Sequence, residues 1–266
     1  MHPQTIRKID YWFGQPLCWF LTLVKKIAHS STNKPEVKRI VFLKFIEQGA
    51  TVIAHSAIKR AIEIVGKENV YFCVFENNRP ILDIMNLLPT ENIISLNDKN
   101  LFGFIANALS ALLKIRSKKI DTVIDMEFFS RASAIFSFLT GATTRVGLHR
   151  FSSEQPYRGN LMTHRIQYNP YLHVAIFYRQ LVEAALSNPL EVPMMKVPRE
   201  KSSIPLPSFV PSPEEVKSIS EKLRTAFPSI SFEGQSNSLI LLNPNASDML
   251  LLRKWETDKF IALGKK

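Results

Sequence analysis

Between Arg39 and Leu148 the chain alternates short β-rich runs with helical stretches, and this alternation constrains the fold more than any other feature of the sequence. RIVFLKF (39–45), NVYFCVF (69–75), NIISL (92–96), DTVIDME (121–127) and TRVGL (144–148) are the β-rich runs. Between the first two, Val52, Ile53, Ala57, Ile58, Ala61, Ile62 and Val65 recur at the spacing of one helix face, which predicts a helix from Ala50 to Val65. Further helices are predicted over 80–88, 101–115 and 130–139, the last stopped by Gly141. Strand and helix in turn imply a parallel sheet with helices on both faces. The near-continuous apolar character of the runs agrees, because strands of such a sheet are covered on both sides.

Beyond Leu148 the pattern changes. Residues 149–170 read as a basic loop and 173–186 as a helix. Seven of the chain's 16 prolines fall between Asn188 and Pro213, the mark of a linker. A helix (214–227), a strand (238–244) and a helix starting at Trp255 then open a second α/β domain. A single strand cannot make a stable domain alone. The organisation expected is therefore an N-terminal segment (1–36), a Rossmann-like domain (37–187), a proline-rich linker (188–213) and an incomplete second domain (214–266).

In open α/β sheets ligands sit at the carboxyl ends of the strands. That rule selects Glu47, Gln48, Gly49, Ala50 and Thr51 after the first run, and Asp125, Glu127, Ser130 and Arg131 after the fourth. It also selects Asn243, Asn245, Ser247, Asp248 and Arg253 after the last. Gly49 either lets a ligand approach the backbone or serves the turn alone. Asp125 and Glu127, two apart, share a face if the strand runs that far. Such a pair can bind a metal, act as a base or hold nearby arginines. Residues 131–165 carry Arg131, Arg145, Arg150, Arg158 and Arg165 against the single acid Glu154, which makes either a phosphate clamp or a solvated basic loop. Neither a GxGxxG fingerprint nor a Walker A pattern is present, which speaks against a nicotinamide or P-loop enzyme.

Composition narrows the partners. With 34 basic and 23 acidic residues the net charge is +11, a field that attracts polyanions. No zinc-finger spacing or base-reading helix appears, so nucleic acid is not the expected partner. Cys18 and Cys73 sit in apolar stretches and form no CxxC or Cys/His set, as expected of thiols in a reducing compartment. The stretch YWFGQPLCWFLTLV (11–24), flanked by Arg7 and Lys8 and by Lys25 and Lys26, is too short to span a bilayer. It suits either the membrane interface or an ordinary packed helix.

Taken together, IDYWFGQPLCWFL, RIVFLKFIEQGATVIAHSAIK, DTVIDMEFFSRASAIFSFLTGATTRVGL, YRGNLMTHRIQYNPYLH and LLNPNASDMLLLRKW resemble glycosyltransferase family 9, the heptosyltransferase-like enzymes of lipopolysaccharide assembly. The resemblance implies a GT-B fold, in which the N-terminal Rossmann-like domain takes the acceptor and the C-terminal one a nucleotide sugar such as ADP-heptose. It implies inverting transfer with no metal and no cofactor. A carboxylate base would deprotonate the acceptor hydroxyl, and basic groups would stabilise the leaving diphosphate. The acceptor implied is an anionic lipid-linked saccharide, reached from the cytoplasmic face of the inner membrane, where the protein would sit peripherally.

Two departures stand out. Family members carry Asp after the first-loop glycine, where this chain has Ala50. Glu47 is the expected substitute base and Glu127 the second choice. Gly49, Thr51, Arg131, Arg150 and Arg158 are expected on the acceptor side, and Asn245, Ser247 and Arg253 on the donor side. The family's later Asp-x-x-x-Gly-Pro-x-His-like segment does not occur before Lys266, so the donor site is expected to be incomplete. The alternative from another class is a saccharide-binding module without turnover.

Overall fold

A computed structural model describes residues 10–27, 36–97, 101–128, 130–149, 157–190, 207–228, 240–243 and 254–265. The chain divides into two compact units, Met1–Ser208 and Phe209–Lys266, and the boundary falls inside the proline-rich stretch.

The first unit is built on six parallel strands: β1 (Ile40–Leu43), β2 (Val70–Phe75), β3 (Ile93–Leu96), β4 (Thr122–Asp125), β5 (Thr144–Leu148) and β6 (His164–Ile166). They lie in the order β3-β2-β1-β4-β5-β6. The topology reverses between β1 and β4, which pair with Leu43 opposite Asp125. The five predicted runs are β1 to β5. β6 lies within residues 149–170, whose sequence pattern reads as a loop. It is an edge strand of three residues, HRI, with no apolar run to reveal it, and it is held by pairing with Val146–Leu148.

Strand alternation divides the apolar residues between the two faces of the sheet. Ile40, Phe42, Phe72 and Ile124 face one core, closed by α3 (His55–Val65), α4 (Pro80–Met85) and α7 (Val174–Ala185). Val41, Leu43, Cys73 and Val123 face the other, closed by α5 (Leu101–Ser117) and α6 (Arg131–Leu139). The helix predicted over 50–65 is two helices, α2 (Gln48–Ile53) and α3, parted at Ala54. There the amide of Ala54 bonds both Ala50 O (3.0 Å) and Thr51 O (3.1 Å), the tightened turn that ends a helix.

The N-terminal segment packs on this unit. A π-helical turn, Asp10–Gly14, leads into α1 (Gln15–Ile27). Cys18 and Leu21 form a small core with Ala134, Leu161 and Met162. Gly159 shows how close the approach is. It has a φ of +74°, and a Cβ there would lie 2.9 Å from Cys18 O and Thr22 Oγ1. Only glycine meets both demands.

In the second unit the described elements are α8 (Pro213–Ala226), opened by a Ser212/Glu215 capping box, and α9 (Thr257–Gly264). The strand predicted over 238–244 is not found in its described part. Ile240–Asn243 are not in a ladder, and Ile240 and Leu241 are exposed. Apolar patterning does not make a strand without a neighbour, and none lies beside them among the described residues.

Candidate functional site

The carboxyl ends of β1 and β4 flank the reversal point, where this architecture leaves a crevice. Lys44 follows β1 directly and is 1% exposed. Its Nζ donates to Glu127 Oε2 at 3.1 Å and to Glu47 Oε2 at 3.0 Å. Glu127 Oε1 accepts from the amide of Phe45 at 2.7 Å, with Ile46 N at 3.4 Å. A buried lysine, a buried glutamate and a half-exposed glutamate thus meet across the two strands, since the Glu47 side chain is 49% exposed.

Local backbone produces this geometry. Glu47 has φ 71° and ψ 86°, in the left-handed region that non-glycine residues rarely occupy. This conformation lets its carboxylate fold back onto Lys44 three residues earlier. Gly49 follows at ordinary φ, and a Cβ built on it meets nothing within 4 Å. The turn therefore does not require glycine, and the space before it is open. Thr51 is buried, and its hydroxyl lies 3.5 Å from Glu47 O.

Asp125 and Glu127 do not act as a pair. β4 ends at Asp125, and Oδ1 of that residue accepts from the amide of Glu127 at 3.0 Å. Its Oδ2 receives Arg158 Nη2 at 2.5 Å and Ser133 Oγ at 3.0 Å. Each carboxylate has its own cation. Burial pushes the Asp125 carboxyl above the usual range, opposed chiefly by Arg158. Burial likewise raises Glu127, opposed chiefly by Lys44. Among the described residues no group of three or more His, Cys, Asp or Glu is placed to hold a metal ion.

Two of the arginines expected at the acceptor, Arg131 and Arg158, turn inward, as does Arg145 of the same basic stretch. Arg158 is 1% exposed, and its Nε donates to Ser130 O at 3.0 Å. Arg131 pairs with Asp10 and donates to Tyr157 O at 2.9 Å. Arg145 donates from Nε to Leu161 O at 3.0 Å. These three are internal braces rather than an open clamp. Arg165 alone of the described set is exposed. Arg150, Asn245, Ser247 and Arg253 lie outside the described residues.

Of the residues selected from sequence, the structure brings Glu47 and Glu127 together with Gly49 beside them. It adds Lys44, which the β-rich run RIVFLKF places inside the first strand. The available signal was a lone charge ending the apolar run IVFL.

No family model matches the sequence, and no curated protein matches it. Solved structures do match. A glycosyl transferase of family 9 from Veillonella parvula DSM 2008 superimposes with a TM-score of 0.51 at 13% identity, over 76% of this chain and 52% of that one. The ADP-heptose lps heptosyltransferase II of E. coli gives a TM-score of 0.49 at 15% identity, over 73% of this chain and 52% of that one. E. coli heptosyltransferase WaaC with ADP-2-deoxy-2-fluoro heptose gives 0.46 at 16% identity, over 57% and 50%. The chain spans about half the length of each. The likeness is one of fold: a Rossmann-like α/β sheet of the kind that forms half of a GT-B glycosyltransferase.

Proposed function

We propose that this chain is the acceptor-side half of a glycosyltransferase of the family-9 kind. It would move a heptose-like sugar from a nucleotide-sugar donor to an anionic lipid-linked saccharide. The observation that carries the reading is the Lys44–Glu47–Glu127 cluster at the reversal point of the sheet, next to the open space at Gly49.

In this reading Glu47 is the base. A general base must come within hydrogen-bond reach of the hydroxyl it deprotonates. Glu47 is half-exposed, whereas Glu127 is buried with both oxygens engaged. Glu47 takes the proton of the acceptor hydroxyl as that oxygen bonds to the anomeric carbon. The bond from that carbon to the nucleotide diphosphate breaks with inversion, and the diphosphate carries away the electron pair. No metal is needed for this sequence of steps. Glu127 is a positioning residue that holds Lys44 and, through it, Glu47. Ala50, where family members carry Asp, is compatible because the carboxylate is supplied three residues earlier.

The test is transfer of labelled sugar from ADP-heptose to a phosphorylated lipid-linked saccharide, by protein expressed from its complete reading frame. Glu47→Gln is expected to lower turnover by about 10²–10⁴-fold, the usual contribution of a positioned base. Saccharide binding with no transfer by the unaltered protein would instead establish a binding module.

A further inference from the structure

The N-terminal helical segment is apolar on its outward side as well as on the side that packs. Its inward face is already committed: Gly14 meets Arg131, Cys18 and Leu21 pack in the small apolar core with Ala134, Leu161 and Met162, and Lys25 bonds the 160–162 backbone. Its outward face is large and apolar: Trp12, Phe13, Trp19, Phe20, Leu23 and Ile27 are 44–73% exposed. A surface helix ordinarily turns a polar face outward, and a helix apolar on both sides is ordinarily covered. A contiguous apolar face of this kind marks an interaction surface. Trp12 and Trp19 also border a groove of about 390 Å³ that reaches Tyr157.

We propose that this face docks on an anionic lipid bilayer, lying in the plane of the interface. Two observations select that occupant. The first is chemistry, because paired tryptophans on an apolar stripe match the headgroup–acyl boundary. The second is charge. Exposed Lys26 and Arg165 lie at the carboxyl end of the helix, Arg7 and Lys8 precede it in sequence, and the whole chain carries +11. Basic residues beside an apolar stripe are drawn to anionic headgroups. The helix lies on the bilayer because its inward face is committed to protein. Lys25 Nζ donates to Asn160 O at 2.9 Å and to Met162 O at 2.6 Å, and Asp10 pairs with Arg131. Among the described residues no helix is long and apolar enough to cross a membrane.

The docking also orients the crevice. Arg131 begins α6, and Ser133, two residues along the same helix, bonds Asp125 at the end of β4. Asp125 in turn accepts from the amide of Glu127. The Asp10–Arg131 pair, the α6 backbone and the bonds of Ser133 and Glu127 to Asp125 together tie the N-terminal segment to the carboxyl edge of the sheet. This inference is independent of which residue acts as base, and it stands whether or not sugar transfer is found.

The experiment is co-sedimentation of the full chain with phosphatidylglycerol/phosphatidylcholine vesicles and with pure phosphatidylcholine vesicles, read beside tryptophan emission in a Trp255→Phe background. The protein is expected to pellet with anionic vesicles, with blue-shifted emission, and to be released progressively as salt is raised. The double variant Trp12→Ser, Trp19→Ser is expected to bind at least about tenfold more weakly, given the apolar area it withdraws. Unchanged circular dichroism and melting temperature would show that it still folds. Failure to pellet with anionic vesicles, or undiminished pelleting of the double variant, overturns the proposal. So does a wild-type dimer that the double variant converts to monomer, which would make the face a contact between copies of this chain.

Discussion

At the scale of single residues, Glu47 is held where a glutamate is costly. A non-glycine residue in the left-handed region costs on the order of 1–3 kcal/mol and persists where the surroundings over-determine it. Here the surroundings are the Lys44 ammonium at 3.0 Å and the start of α2. Glu47→Gly is therefore expected to raise stability by about 1 kcal/mol and, with Glu47 as the proposed base, to abolish transfer, because glycine adopts φ 71° freely but supplies no carboxylate. Urea unfolding and the transfer assay read the two effects separately, and a destabilised variant would show that the residue is not strained. Glu127→Gln should do the opposite. Both Glu127 oxygens accept, one from Lys44 Nζ and one from the Phe45 amide, so whichever way a glutamine turns, its NH2 faces a donor and the buried ammonium loses its buried counter-charge. Breaking a buried pair from one side costs on the order of 3–5 kcal/mol. A Glu127→Gln protein as stable as the parent, with turnover lost, would reverse the roles assigned to the two glutamates.

At the scale of elements, the docking of α1 carries a pH dependence. Burial, then Arg145 and Arg165, pushes the Lys25 ammonium down from 10.5 to about 8. Between those two values the unfolded chain holds a proton that the folded chain has released, so stability rises with pH across the window. Below about 8 both states are charged and the full cost of the buried charge is present. A neutral amine still has two hydrogens for Asn160 O and Met162 O, so docking survives deprotonation. The difference in unfolding free energy between the parent and Lys25→Met is expected to grow in favour of the parent as pH rises through the window. A difference that stays flat would place the lysine in water. Elements of this kind were unevenly legible in the sequence. β1 to β5 were readable because each is an apolar run covered on both faces, and the glutamates followed from the rule about strand ends. β6 was not readable, because its pairing with β5 and not its composition makes it a strand. The arginines were visible, but not their direction. Arg158 is turned inward by Asp125, 33 residues away, and no local pattern encodes that contact. The N-terminal segment fitted two readings, membrane interface and packed helix. The helix packs through one face and leaves the other apolar, an arrangement compatible with both.

At the scale of the whole molecule, the apolar burial among the described residues divides unequally between the two units. The three apolar clusters of the first unit draw all their fully buried members from Cys18 to Ala185. In the second unit neither α8 nor α9 contains a buried residue, and Ile240 and Leu241 are 79% and 88% exposed. Burial of apolar area is the main term holding a domain folded, so the six-stranded unit should carry nearly all of the cooperative transition. A fragment ending at Leu190, after α7, is expected to unfold in one step with the midpoint of the full chain. If the acceptor-side reading is right, that fragment should also keep the affinity of the full chain for a phosphorylated lipid-linked saccharide, because Lys44, Glu47, Gly49 and Glu127 all lie within it. Calorimetry of the two proteins, with and without saccharide, checks both statements. A fragment that melts much lower would mean that residues after 190 complete the core. A fragment that melts alike but loses the saccharide would move acceptor recognition to the second unit and leave the β1/β4 crevice without its proposed ligand.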